Sequence, residues 1–201
     1  MSWPGEEKAW EILSRLDPEE TEIRAGAVFN SENYSYELKC LGQDIRVSLK
    51  DKEITASSGT GRFIINDLGK YSRLSILSYL VNAKDIPLTG ELVRPSDLSG
   101  GGIFVRGTHV IPIDEIAECF GSDPEKFSAI GKELGGSGRD YGDVSIEFFP
   151  FPRVPMTIIV WAGDEDFPPK ASLLCDSTCT LQLPIDILWS TAMMVVKTIT
   201  N

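Results

Sequence analysis

The chain has 201 residues, 24% of them charged and 42% hydrophobic, which suits one well-buried domain and excludes wholesale disorder. Nineteen Lys and Arg against thirty Asp and Glu leave a formal charge of −11. That balance argues against non-specific binding to nucleic acid or an anionic membrane, because each needs a cationic face. Residues 1–8 lack the cationic flank and apolar core of a signal peptide, and no apolar run reaches the roughly 18 residues of a membrane span. A cytoplasmic protein is expected. Cys40, Cys119, Cys175 and Cys179 show no C-x-x-C spacing and imply no disulfide framework.

Ala9, Trp10, Leu13 and Leu16 recur at helical spacing. Asp17-Pro18-Glu19-Glu20 then supplies a cap and a first-turn proline for a second short helix, which Gly26 ends. Strict alternation over 34–40 and 45–49 predicts half-solvated antiparallel strands, and a third follows over 53–56. Residues 57–61 read as a loop, and Asp67 as the cap of a helix carrying Tyr71, Leu74, Leu77, Leu80 and Val81. From 84 to 107 there is little periodicity, with Pro87, Gly90, Pro95 and Gly100-Gly101-Gly102 along the way. Connections this long are often functional or mobile.

Pro112 predicts a helix ending at Gly121, and Asp123-Pro124 a second ending at Gly135-Gly136. Residues 144–148, 156–161 and 171–175 read as a second set of strands, with a solvated turn at Asp164-Glu165-Asp166. Pro184 opens a final helix in which Ile185, Leu188, Trp189, Ala192, Val195, Val196 and Ile199 form a stripe too broad to face water. The expected fold is therefore α+β. It has two mostly antiparallel meanders, helices packed on them and the C-terminal amphipathic helix on the sheet. A single domain spans 1–201, with a helical N-terminal segment over 1–27.

Few residues point to chemistry. His109 is the single histidine; one imidazole can serve as an axial ligand to haem iron or corrinoid cobalt, or as a general base. Zinc fits poorly, since Cys175-x-x-x-Cys179 offers only two ligands. Cys40 and Cys175 sit in apolar strand patterns, which leaves Cys179, in a polar stretch, as the expected exposed thiol. The glycine clusters lack the lysine and the strand–turn–helix context of a phosphate loop, and no G-x-S-x-G elbow is present. Phe148-Phe149-Pro150-Phe151-Pro152-Arg153-Val154-Pro155 cannot form a regular ladder throughout, because proline lacks the donor.

Four segments together carry a family resemblance. They are Pro87-Leu88-Thr89-Gly90-Glu91-Leu92, Phe104-Val105-Arg106-Gly107-Thr108-His109-Val110-Ile111-Pro112, Phe151-Pro152-Arg153-Val154-Pro155, and Trp161-Ala162-Gly163-Asp164-Glu165-Asp166-Phe167-Pro168-Pro169. In this order they resemble the prokaryotic domain of unknown function 3786, from about Asp17 onward. The resemblance implies occurrence in anaerobic bacteria and archaea, in the company of redox proteins that handle metal cofactors. Some relatives carry a cysteine-rich iron–sulfur segment; this sequence has no such segment, so its cluster is not carried over. The family brings no established reaction and no catalytic residues.

Three functions follow as expectations. The first is a cofactor-binding module of anaerobic metabolism, taking a corrinoid (cobalamin), haem or another tetrapyrrole. His109 would be its metal ligand, Arg106, Thr108, Phe104, Trp161 and Phe151 would line the site, and Phe167 would add a wall. Arg94, Arg106 or Arg153 would pair with anionic substituents. The Asp-x-His-x-x-Gly corrinoid loop is absent, so the binding mode would differ. The second is a non-catalytic accessory or interaction protein for a corrinoid or iron–sulfur enzyme, with neither nucleic acid nor membrane as partner. The third is a small acid–base enzyme built on Asp97, His109, Asp114 and Glu115.

Overall fold

The N-terminal periodicity resolves into α1 (Glu6–Leu13) and α2 (Pro18–Ala25) in the computed structural model, which describes residues 5–105 and 109–201. Asp17 Oδ1 accepts from Glu20 N at 3.0 Å, Pro18 starts the helix, and Gly26 at φ 60° ends it. The chain then forms β1 (Val28–Asn30), β2 (Ser35–Cys40), β3 (Gln43–Ser48) and β4 (Glu53–Ala56), an antiparallel sheet in the order β1-β2-β3-β4. Strand β1 is an addition to the expected meander; its three residues are too few to show a period.

The expected loop at 57–61 is instead the start of a long helical run: α3 (Gly59–Arg62), a π-helical turn (Phe63–Asp67) and α4 (Gly69–Asn82). Ser58 caps it, its Oγ accepting from Gly61 N at 2.9 Å. Gly61 is required by space rather than by a turn, since a Cβ there would stand 2.7 Å from Ala56 Cβ. Asp67 therefore lies inside helical structure and caps nothing. Local propensity favours a turn here, and packing against β4 overrides it.

The aperiodic stretch contains β5 (Leu92–Val93) and two 3₁₀ turns (Pro95–Asp97 and Gly101–Val105). Helices α5 (Asp114–Phe120) and α6 (Pro124–Glu133) lead into β6 (Ser137–Arg139), β7 (Val144–Phe151), β8 (Val154–Trp161) and β9 (Lys170–Asp176). The second antiparallel sheet has the order β5-β9-β8-β7-β6. Its register shifts between Phe148 and Phe151, which accommodates Pro150. On the face carrying Ile146 and Phe148, α6 packs closely: Phe127 meets Phe148 at 6.0 Å, and a Cβ on Gly131 would come within 2.9 Å of Ile146. After α7 (Cys179–Gln182), α8 (Ile185–Ile199) enters the core between the layers, packing most extensively on α4. Its Met194 Sδ lies 4.0 Å from Cys40 Sγ on β2. No helix among the described residues is long and apolar enough to cross a membrane.

Candidate functional site

Phe104 is buried at one wall of an apolar groove of ≈ 260 Å³. Val105, Val110, Ile111 and Ile113 line it from one side, and Ala171 and Leu173 of β9 from the other. The groove follows the outer edge of β9, because β5 pairs only with Cys175 and Asp176. Its rim is unusually open for apolar side chains: Val105 is 62% and Val110 55% exposed. At one end Arg94 Nε donates to Asp97 Oδ2 at 2.8 Å, and this hydrogen bond holds the Asp97 carboxyl below its usual range.

The long segment that forms this groove is held by side chains from the β9–α7 corner. Asp176 is 1% exposed and accepts from Gly90 N at 2.7 Å, Thr89 Oγ1 at 3.1 Å, Thr178 N at 2.9 Å and Thr178 Oγ1 at 2.6 Å. Burial raises its pKa, but the hydrogen bonds from Thr178, Gly90 and Thr89 outweigh that and leave it lowered. Gln182 clamps Lys84 from both sides, Oε1 accepting from its N at 2.8 Å and Nε2 donating to its O at 3.2 Å. Thr89-Gly90, singled out in the sequence, is thus a fastening, with Gly90 at φ 72°.

The six nominated cofactor residues do not form one site. His109 is exposed, its ring edge-on to Trp189 of α8 at 4.7 Å, and Trp189 meets Tyr71 at 5.9 Å. Arg106 and Thr108 lie outside the described residues. Phe151 is a core residue with no exposed surface, stacked on Tyr79 at 4.6 Å; burying such a ring stabilises the fold by about 2–3 kcal/mol. Trp161, 40% exposed, ends β8 and by strand alternation points to the face opposite Ala171 and Leu173. Of the four that are described, Phe104 lines the groove, with His109 next in chain to its rim residue Val110.

Other nominated groups are engaged elsewhere. Arg153 donates from Nε to Arg24 O at 2.6 Å and from Nη2 to Ile23 O at 3.1 Å and Asp85 Oδ1 at 2.6 Å. It closes the carbonyl end of α2 and is not free to pair with a ligand. Lys197 Nζ bridges both oxygens of Glu115 at 2.7 Å, and Asp97 is taken by Arg94. Among the described residues no carboxylate forms a salt bridge with His109, so the expected acid–base cluster does not assemble. The Asp164 turn is self-contained: its Oδ1 accepts from Asp166 N at 2.9 Å and Phe167 N at 2.7 Å.

The exposed thiol is Cys119 on α5, not Cys179, which is fully buried and has its Sγ 3.7 Å from Pro155 O. The polar neighbours of Cys179 misled the sequence-based expectation, because Thr178 is folded inward onto Asp176. A hydrogen bond with Cys175 and then burial push the Cys179 thiol up, and burial pushes Cys40 up to about 12. Such thiols are inert. Among the described residues no three His, Cys, Asp or Glu side chains gather as a metal site.

Sequence reasoning also missed the π-turn, a geometry frequent at functional sites. Its Phe63 borders two clefts, and Ile65 and Asn66 border a third. A Gly-x-Gly flanked by a serine cap was the available signal.

A family model described as Domain of unknown function (DUF3786) matches residues 17–198. The chain belongs to this family. The DUF3786 match starts at Asp17, the cap of α2, and runs through both sheets into the last turn of α8. Within the matched span, residues 87–92 carry the Asp176 fastening, and residues 151–155 form the β7–β8 hairpin, pinned to α2 by Arg153. No curated protein and no solved structure matches the chain.

Proposed function

We propose that the chain is a non-catalytic interaction module, accessory to a partner protein that docks in the apolar groove beside β9. The observation that carries this is the pair of exposed valines, Val105 and Val110, on a groove walled by Phe104, Ile111 and Leu173. Apolar rim residues over a well-packed floor suit a protein surface better than bulk water. The commitment of Asp97 and Glu115 to cations supports a binding role over proton transfer. The family resemblance suggests a corrinoid or iron–sulfur protein of anaerobic metabolism as the partner. The test is purification from an anaerobic host, wild type beside Val105→Asp/Val110→Asp. A stoichiometric partner that the double variant loses supports the proposal; a solitary protein in both preparations overturns it.

One observation favours a second function. His109 is exposed and fixed against Trp189, and an imidazole so oriented can serve as a surface ligand to a corrinoid or haem metal. Such a tetrapyrrole would be cargo lying over the groove rim, without Phe151 or Trp161. Titration with cobalamin, cobinamide and haemin tests it. A spectral shift lost in His109→Ala supports it, and unchanged spectra with all three exclude it.

A further inference from the structure

The largest cleft among those bordering the π-turn is polar and lies on the other sheet. It encloses ≈ 570 Å³ between β4 and the helical run, within the range of small-molecule sites. Arg62, Asn66, Gly69 and Arg73 line it from the helix at intervals of three and four, hence along one face. Gly69 contributes no side chain, which leaves the floor of the cleft open between the two arginines. The opposite wall is Glu53 to Ala56 of β4, the last strand of its sheet. Alternate residues of an edge strand turn their N–H groups outward, so this wall adds backbone donors.

Both guanidinium groups have capacity left. Arg73 uses Nε on Glu6 Oε1 at 3.2 Å, and among the described residues its two terminal nitrogens have no protein partner. Arg62 donates from Nη1 to Ser57 O and is otherwise unengaged among the described residues. Glu6 is 2% exposed behind Arg73 and lies outside the cleft lining, so it fixes the guanidinium without occupying the cleft. Glu53, on the β4 wall, is the one carboxylate in the lining. In a chain of charge −11, this cleft presents two guanidinium groups against one lining carboxylate, with Glu6 neutralising part of Arg73 from behind. Planar guanidinium forks match carboxylate and phosphate geometry in a way that ammonium groups do not.

We propose that this cleft binds an elongated small molecule carrying an oxyanionic group, phosphate or carboxylate, at each end. The two arginines are separated in the lining by Asn66 and Gly69, so two spaced oxyanionic groups match them better than one compact anion. Asn66 and the β4 backbone would contact the polar middle of the ligand.

Calorimetry at low ionic strength tests this with two probes, inorganic tripolyphosphate and adipate, which distinguish phosphoryl from carboxylate preference. The wild-type chain should bind at least one probe with a one-to-one stoichiometry. Arg62→Ala should weaken binding at least tenfold. Arg73→Lys keeps a cation beside buried Glu6 and should also weaken it about tenfold with the melting temperature held. Glu53→Gln should tighten it two- to threefold, and Arg15→Ala on α1 should leave it unchanged. Absence of binding at millimolar probe, or an equal loss in Arg15→Ala and Arg62→Ala, would overturn the proposal.

Discussion

The groove beside β9 and the cleft beside β4 occupy equivalent places, each against a strand edge left unpaired by its own sheet. Exposed strand edges invite unwanted pairing and are usually covered. At β9 the cover is a long segment presenting valines, and at β4 it is a helix presenting arginines. The same structural need is met with opposite chemistry, which is why the partners proposed for the two edges differ: a protein surface at one and a charged small molecule at the other. The two edges should therefore respond independently to mutation.

The largest separation is expected from Asp176→Ala. Removing a buried carboxylate strands donors from Thr89, Gly90 and Thr178, and should cost about 3–4 kcal/mol in chemical denaturation. The loss should fall on the groove, whose wall that carboxylate fastens, while tripolyphosphate binding at the cleft persists in whatever protein remains folded. The pH dependence has a definite sign. Because the folded Asp176 pKa is lowered, its contribution is complete above the unfolded value of about 3.9 and is lost as pH falls toward the folded value. The stabilities of wild type and Asp176→Asn should therefore stay fully apart above about pH 4 and converge only as pH falls through the lowered folded value.

Arg153→Ala comes next, at about 2 kcal/mol, since it opens the carbonyl end of α2 and removes the tie to Asp85. It touches neither edge, so stability should drop while both binding events retain their affinity. Val110→Asp should change stability by less than about 0.5 kcal/mol, as its side chain is on the surface, yet abolish the groove interaction. Smallest in its effect is modification of Cys119. One of the four thiols should react rapidly with a thiol reagent in the native protein, the other three only on unfolding, with stability and tripolyphosphate affinity unchanged.

Elements whose side chains settle their own burial were legible in the sequence. The alternation of Tyr36, Leu38 and Cys40, the apolar run of β8 and the stripe of α8 all occur as expected, because period and hydrophobicity agree there. What escaped depended on partners distant in sequence. Residues 59–61 are helical because Ser58 caps them and β4 crowds Gly61. Lys84, Thr89 and Gly90 of the aperiodic segment are held by Gln182 and Asp176, more than eighty residues away. Phe151 and Phe104 look alike in sequence, yet one stacks on Tyr79 inside the core and the other walls the groove. Arg62 and Arg73 gave no sign of acting together, since only the π-turn and α4 bring them to one face opposite β4.

Hydrogen exchange on the chain alone and in complex with a stoichiometric partner from an anaerobic host tests the central claim most directly. Docking at the groove predicts new protection at Val105, at residues 110–113 and at residues 171–173, with exchange over 62–73 unchanged. Protection confined to the β4 cleft, or absent from both edges, would contradict it.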